Sequence, residues 1–321
     1  MGRPALTRLV ALVGSMLLLA CNGFDNDEKF VPKYRFSLVL VQQADGKTIL
    51  YQASESGIFP YDYGQPPLAD SITDLAWHED YLYLAVPNQR LVRRINLKEQ
   101  RETARYSLYA TSVTDGEKGV LAAGAGGAQF IEYRRDRQTN IGLTVGRYQK
   151  GIYAAQRFYV LNEQADGWHL AVVNEKALTE ERSPLLANFP VDIQLSRAFN
   201  PTVLQQAPDR YLRQEMSANS RELSAPVAVD YQHFALSSLL KDPYETAFLA
   251  DLFVVNGRLR QDQVPLSIPD SVYSLALDSW GSRLVYTARD SLKLYDLKAS
   301  RYLSAAPAPG HILKAIHYYN Y

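Results

Sequence analysis

Apolar positions along the chain come in short runs separated by polar turns, at a spacing that suits strands and nowhere sustains a helix. The stretches "ITDLAWHEDYLYLAVPNQRLVRRINLK" (72–98) and "SVYSLALDSWGSRLVYTARDSLKLYDLK" (271–298) share one plan. Each has an apolar strand through Leu-Ala, a polar turn, and a second strand with a Leu-Tyr or Leu-Val-Tyr centre. A third strand then closes on Asn-Leu-Lys or Asp-Leu-Lys. A second internal match sets "LAVVNEKALTEERSPL" (170–185) against "LFVVNGRLRQDQVPL" (252–266). Such runs, rich in Val, Ile, Leu and Tyr, predict half-buried strands. Asp45-Gly46, Asp115-Gly116, Asp166-Gly167 and Asn256-Gly257 predict tight hairpins, because these pairs accept a left-handed backbone. The segment Phe234 to Phe253 carries Pro243 and reads as irregular strand and loop.

The repeat decides the architecture. Units begin at Ile72, Thr111, Gly151, Pro190, Pro226, Ser271 and His311, a period of about 40 residues, which matches one four-stranded propeller blade. The last start, "HILKAIHYYNY", has room for a single strand, whereas "YRFSLVLVQQADGKTILYQASESGIFPYDYG" (34–64) supplies outer strands with no inner strand before them. Joining the two in one shared blade closes the ring and removes its exposed edges. The fold expected is an all-β propeller of seven four-stranded blades. Six or eight stay open, because 190–270 shows little alternation.

This pattern resembles the bacterial YVTN-type and WD40-like seven-bladed propellers, many of which are exported lipoproteins. The resemblance spans residues 34–321. Its motifs are loose: there is no Gly-His…Trp-Asp signature and no Tyr-Val-Thr-Asn string. Trp77, Trp168 and Trp280 do not recur at the fixed blade position of quinoprotein-type propellers. The resemblance implies a shape more than an activity, since one fold hosts many functions.

Ahead of the repeat, Arg3 and Arg8 precede the apolar run Leu9 to Ala20. This run is too short for a spanning helix, which needs about 20 residues, and has the length of a signal-peptide core. It ends in Leu18-Leu19-Ala20-Cys21, and Cys21 is the one cysteine in 321 residues. An intrachain disulfide is therefore excluded. The sequence Leu-Leu-Ala-Cys resembles the lipobox of bacterial lipoproteins, which implies that Cys21 carries a diacylglyceryl group after cleavage; a secretory peptide with an incidental cysteine is the alternative. Two acyl chains suffice for stable anchoring, at about 0.8 kcal/mol per buried CH₂. The expected division is a signal peptide over 1–20, an acidic tether over 21–33 and a propeller over 34–321. By the same resemblance Asn22, in place of the Asp that marks inner-membrane retention, directs the chain to the outer membrane. Whether it faces the periplasm or the cell surface stays open.

Charge and chemistry narrow the function further. Thirty-four basic residues balance thirty-four acidic ones, and removal of 1–20 leaves a slight negative excess. That argues against nucleic acid. The clusters at 90–105 and 133–137 are basic but broken by Glu and Asp, as expected of exposed outer strands. His78, His169, His233, His311 and His317 show no metal-binding spacing, although a channel could gather ligands from several blades. There is no Gly-x-Ser-x-Gly elbow. Glu180-Glu181 and Asp25-Asn26-Asp27-Glu28 read as solvated loop acids rather than a glycosidase pair. Gly124, Gly126 and Gly127 lie in "AAGAGGAQF", where Gln129 replaces the last glycine of a dinucleotide fingerprint, so this is a hairpin. The tyrosines of "PYDYG" (60–64) and "HYYNY" (317–321) read as packing within and between blades, with sugar stacking or partner anchorage as the alternative.

No catalytic residue, cofactor or metal is assigned. The expectation is a binding or scaffold module of the cell envelope, anchored to the membrane through Cys21, with a protein or carbohydrate partner on a propeller face. Two alternatives are a lactonase-like or lyase-like propeller enzyme with a central-channel site, and an outer-membrane assembly factor. A Cys21→Ala chain should fold normally yet lose lipid labelling and membrane fractionation; continued labelling would overturn the anchor.

Overall fold

In the computed structural model the second strand of each meander is buried almost throughout, as over Tyr81–Val86 and Gly119–Gly124, while the fourth strands, such as Arg101–Ser107 and Thr179–Arg182, are largely exposed. The structure describes residues 33–61, 72–125, 127–196, 198–217, 219–236, 251–261, 264–278 and 282–320. Cys21, the tether and most of the segment from Phe234 to Phe253 lie outside them.

The chain opens with β1 (Lys33–Gln42), β2 (Thr48–Ser54) and β3 (Gly57–Pro60). Blade 1 is β4 (Asp74–His78), β5 (Tyr81–Val86), β6 (Leu91–Asn96) and β7 (Arg101–Ser107). Blade 2 is β8 (Ser112–Asp115), β9 (Gly119–Gly124), β10 (Gly127–Glu132) and β11 (Gln138–Ile141). Blade 3 is β12 (Arg147–Ala154), β13 (Arg157–Gln164), β14 (Gly167–Asn174) and β15 (Thr179–Arg182). Blade 4 is β16 (Phe189–Leu195), β17 (Pro201–Gln206), β18 (Tyr211–Glu215) and β19 (Val227–Val229). Blade 5 is β20 (His233–Ala235), β21 (Leu252–Val255), β22 (Arg258–Gln261) and β23 (Val264–Pro265). Blade 6 is β24 (Ser274–Asp278), β25 (Arg283–Ala288), β26 (Ser291–Asp296) and β27 (Arg301–Pro307). Blade 7 takes β28 (His311–Asn320) as its first strand and continues with β1, β2 and β3.

Arg35–Tyr318 thus forms a seven-bladed propeller, closed by one blade that both ends of the chain build. The first strands of neighbouring blades pack side by side around the axis, β4 on β8, β8 on β12, and so on to β24. The match between 72–98 and 271–298 is a true repeat, covering the first three strands of blades 1 and 6. That between 170–185 and 252–266 is not. It aligns the third and fourth strands of blade 3 with the second, third and fourth of blade 5, which shows that any apolar strand followed by a polar turn looks alike locally. Pro226 likewise does not open a unit. Val227–Val229 is the outer strand of blade 4, and blade 5 starts at His233. Among the hairpin pairs, Asn256 and Gly257 both have positive φ, 48° and 74°, as a primed two-residue turn requires. Asp115-Gly116 instead opens a longer turn, with the Gly116 N–H donating to the Gly119 carbonyl at 2.9 Å.

Each seam between blades has its own apolar core. Seven clusters fill seven seams, for example Leu82, Leu84 and Ile95 of blade 1 against Leu38, Leu40 and Leu50 of blade 7. Both faces of most inner strands are therefore buried. Large tyrosines fill these wedges, and Tyr83, Tyr148, Tyr159 and Tyr286 are fully buried. Several hydroxyls find a carboxylate on or beside the next blade. Tyr106 donates to Asp136. Tyr286 and Tyr302 donate to Asp270 at 2.8 and 2.7 Å, and Lys293 Nζ reaches the same carboxyl at 2.8 Å. Burial alone would raise the Asp270 pKa, but these donors hold it below the usual carboxylate range. Tyr318 donates to Asp80 at 2.7 Å; burial, with that bond, pushes its hydroxyl up to about 12. Tyr61 is buried as well. The described tyrosines of the two clusters, Tyr61, Tyr318 and Tyr319, are thus packing residues, and Tyr63 and Tyr321 lie outside the described residues.

Closure rests on the last blade. Gly310, just before β28, has φ +143°, and a Cβ there would stand 2.2 Å from the Gln42 carbonyl oxygen at the end of β1. Gly310→Ala should therefore cost about 1–3 kcal/mol of stability. Deleting Gly310 to Tyr321 should open the ring and abolish the single cooperative melting transition. A truncated chain that melts as sharply as the intact one would show that the ring does not depend on β28.

Candidate functional site

Every first strand starts on the same side of the propeller, because four antiparallel strands return the chain to the side from which it left. The opening residues of these strands therefore meet around one mouth of the central channel. Asp74 opens β4, Ser112 β8, His233 β20, Ser274 β24 and His311 β28. Two strands arrive there with an extra residue. The pairing of β12 with β13 shifts between Tyr148 and Gly151, and that of β16 with β17 shifts between Pro190 and Asp192. Such bulges re-aim side chains, and at these two Lys150 and Asp192 form an ion pair across the seam of blades 3 and 4.

The polar groups at this level stitch consecutive blades. Asp74 is almost fully buried. Its Oδ1 lies 2.9 Å from Lys314 Nζ of blade 7, and its Oδ2 accepts from the Val113 N–H at 3.0 Å and Ser112 Oγ at 3.2 Å in blade 2. Lys314 Nζ also donates to the Val113 carbonyl at 3.1 Å. Asp192 accepts from Gln194 Nε2 at 2.8 Å; that amide also donates to the Phe234 carbonyl at 2.8 Å, and its Oε1 accepts from the Leu236 N–H at 2.8 Å. Ser274 Oγ accepts from the Ile312 N–H at 2.8 Å and lies 2.6 Å from Thr287 Oγ1. Hydrogen-bonded ion pairs of this kind cost much when broken, because one charge is left buried.

His233 and His311 belong to blades 5 and 7, yet their ring centroids lie 6.1 Å apart. They meet because the intervening strand β24 opens with the small Ser274, which is turned onto Thr287. Burial pushes the His233 imidazole below the usual histidine pKa; Asp192 opposes this, and His311 and Lys150 add to it. The other three histidines do not join them. His317 Nδ1 lies 2.7 Å from Ser37 Oγ, His169 is held by Asp166 at 2.9 Å and by the Ser183 carbonyl, and His78 stacks on Tyr133 at 3.6 Å. Among the described residues no group of three or more His, Cys, Asp or Glu is placed to hold a metal.

The surface on the mouth side differs from the opposite one. Three of its blade-to-blade connectors, "LYAT" (108–111), "GLTVG" (142–146) and "SPLLAN" (183–188), carry no charge and expose Tyr109, Val145 and Leu185, with Phe189 beside them at the start of β16. Tyr273 is exposed on a further connector, 266–273, which holds Asp270, and Asp230 lies on the connector before β20. The turns of the other side hold Glu79-Asp80, Lys98-Glu99, Arg134-Arg135 and Glu175-Lys176. Charge is present on the mouth side as well, in the turns between second and third strands, at Asp45, Asp166, Asp209, Arg210, Arg289 and Asp290; the exposed apolar side chains gather around the three uncharged connectors.

Other expected sites resolve into structure. Gly124 and Gly127 flank the β9–β10 hairpin, and a Cβ on Gly124 would stand 2.1 Å from the Tyr109 carbonyl oxygen. Glu181 is not a free loop acid, since Arg157 at 2.7 Å and Arg221 at 3.0 Å both hold it; Glu180 accepts from Thr144. The cluster at 90–105 is not uniformly exposed either, because Arg93 is buried and paired with Glu102. Sequence reasoning missed Asp74, Lys150, Asp192 and Lys314. The repeat aligning Asp74 with Ser274 pointed to the first pair, but the bulges that carry the second leave no local signal.

No protein-family model matches the chain, and no curated protein matches it. Solved structures do: 917 chains match, so the fold is widespread and names no single activity. Hydrazine synthase from Kuenenia stuttgartiensis matches with a TM-score of 0.56 at 10% identity, over 81% of this chain and 99% of that one. A quinoprotein alcohol dehydrogenase-like protein from Bacteroides thetaiotaomicron matches with a TM-score of 0.56 at 12% identity, over 88% of this chain and 75% of that one. At these identities the likeness is one of fold alone.

Proposed function

We propose that this chain is a lipid-anchored binding module of the bacterial cell envelope, an outer-membrane lipoprotein that faces the periplasm and holds a partner on the connector face of its propeller. The observation that carries this reading is the gathering of exposed apolar side chains on one side of the propeller. Five of the exposed large apolar side chains, Tyr109, Val145, Leu185, Phe189 and Tyr273, lie on the side where the channel opens. Protein interfaces are depleted of charge at their centre and enriched in aromatic residues. The three uncharged connectors at 108–111, 142–146 and 183–188 have that composition, so a protein partner is favoured over a carbohydrate. The Leu-Leu-Ala-Cys sequence before an acidic tether supports the anchor. In the channel, both carboxylates serve the ring: Asp74 and Asp192 are each engaged by a lysine and by further N–H donors. This supports a scaffold role for the inner strands and leaves the connector face as the working surface.

A gentle cross-linked pull-down from envelope fractions tests the reading. The intact protein should retain a discrete partner that Tyr109→Ser/Leu185→Ser/Phe189→Ser protein loses by tenfold or more, with folding unchanged by circular dichroism. An identical set of partners for both would sink it. The mouth also has its own pH signature. A histidine whose folded pKa lies below its unfolded value gives stability that is complete above about pH 6.5 and falls as pH drops through the depressed value. Melting temperature measured from pH 8 to pH 5 should fall in the intact protein and fall less in His233→Gln; equal slopes would remove His233 from the account.

A further inference from the structure

The outer strands of blades 1, 3 and 6 are each bulged against the strand inside them. Past the bulge stand Ala104 in blade 1 and Ser304 in blade 6, but Arg182 in blade 3. In blade 3 Glu180 lies opposite Val173 and Arg182 opposite Val172, so Glu181 is the extra residue. Opposed residues of an antiparallel pair share one face of the sheet. Val173 packs into the seam with blade 2 and Val172 into the seam with blade 4. The bulge therefore leaves Glu180 on the side of blade 2, where it accepts from the Thr144 N–H at 2.7 Å, and turns Arg182 toward blade 4. From blade 4 the turn after β18 brings Arg221, whose carbonyl oxygen lies 3.5 Å from Arg182 Nη1. A cleft of about 570 Å³ opens here, with Arg182, Ser183 and Pro184 on one wall and Arg221, Glu222 and Leu223 on the other.

This corner holds more donors than acceptors. Glu181 is the carboxylate at its centre, and it takes Arg157 Nε at 2.7 Å, Arg221 Nη1 at 3.0 Å and Asn174 Nδ2 at 2.8 Å. One negative charge therefore answers two guanidiniums. Arg182 brings a third, and among the described residues no carboxylate pairs with it. Glu222, exposed on the cleft wall, offsets one of these charges, so three arginines against two glutamates leave a positive excess. The hydroxyl of Tyr159 is fully buried and has no partner, although it lies among the charges of Arg157, Arg221 and Glu181. Tyr286, on the second strand of blade 6 as Tyr159 is on that of blade 3, donates to Asp270 instead. What the corner lacks is negatively charged oxygen.

We propose that the cleft between blades 3 and 4 binds the phosphate group of an organic ligand, with Arg182 and Arg221 as its clamp and the Ser183 hydroxyl as a further donor. Ser183 Oγ accepts from Gln164 Nε2 at 3.1 Å, which leaves its O–H to donate to the ligand. Guanidiniums from two walls and a hydroxyl approach from different directions. The oxygens of a phosphate, set tetrahedrally, meet all three, whereas the two oxygens of a carboxylate lie in one plane and suit a single fork. The volume falls within the roughly 300–1,000 Å³ of small-molecule sites. It exceeds what a phosphate alone fills, and Pro184 and Leu223 are left to hold the organic body. Ser183 and Pro184 open the connector 183–188, but the clamp stands outside it, and neither this reading nor that of the connector face requires the other.

Isothermal titration calorimetry on the full chain tests this, with phenyl phosphate as the probe and benzoate as a carboxylate on the same ring. Phenyl phosphate should bind at least tenfold more tightly than benzoate, and inorganic phosphate should compete with it. Arg182→Gln should weaken binding tenfold or more and, because this guanidinium holds no ion pair, should leave the melting temperature unchanged. Arg221→Gln should weaken binding as well, whereas Arg101→Gln, which removes an exposed arginine of blade 1, should not. Vesicles of phosphatidylglycerol, added to Cys21→Ala protein so that no anchor inserts, separate two sources of the group. Competition with phenyl phosphate assigns the site to a lipid headgroup, and no competition assigns it to a free organic phosphate. Three results would overturn the proposal: no binding of either phosphate, benzoate bound as tightly as phenyl phosphate, or unchanged affinity in Arg182→Gln.

Discussion

The fold depends on a contact between residues 240 positions apart in the chain, the ion pair of Asp74 with Lys314. Lys314 lies on β28, which lies beside β1 in blade 7, while Asp74 opens blade 1 and reaches into blade 2 through Ser112 and Val113. One buried carboxylate therefore touches three consecutive blades at the point where the ring joins. Propeller blades do not stand alone, because each buries its faces only against neighbours. Until the last strand arrives, blades 7 and 1 lack the seam that holds Leu38, Leu40, Leu82 and Leu84. Closure is what turns seven local meanders into one structure.

The seams explain the composition. A wedge between twisted sheets widens outward, and a large side chain with a polar tip suits it. Tyrosine fills that role when its ring packs inside and its hydroxyl meets a carboxylate farther out, as at Tyr106 with Asp136 and Tyr286 with Asp270. Much of the charge on the second to fourth strands is similarly committed, as with Arg93 and Glu102 or Arg157 and Glu181. What remains unspent is uneven. Three neighbouring connectors show apolar side chains without charge, and on that feature the functional reading stands.

Several expectations were legible because they depend on local pattern. The blade starts at Ile72, Thr111, Pro190, Ser271 and His311 lie within three residues of β4, β8, β16, β24 and β28, since alternation and turn residues mark a strand wherever it sits. The hairpin at Asn256-Gly257 was readable for the same reason. Where alternation is weak the local pattern misleads, and Pro226 resembles a blade start because β19 is an apolar run like any inner strand. The histidine pair was not legible at all. His233 and His311 lie 78 positions apart, and only the small Ser274 on the intervening strand lets them meet.

By itself, the sequence determined the period, the class of fold and the sharing of one blade between the two ends, because each follows from spacing and from how many strands a segment can hold. It also carries Leu18-Leu19-Ala20-Cys21, whose resemblance to a lipobox is the ground of the proposed anchor and needs no folded partner. Tertiary structure decided which side chains share a space. The pairing of Lys150 with Asp192 comes from two bulges whose cost and benefit depend on the neighbouring blade. The gathering of Tyr109, Val145, Leu185 and Phe189 on one side comes from the return of every meander to its own side. Burial and proximity across the axis are properties of the closed ring, and no window of local sequence contains them.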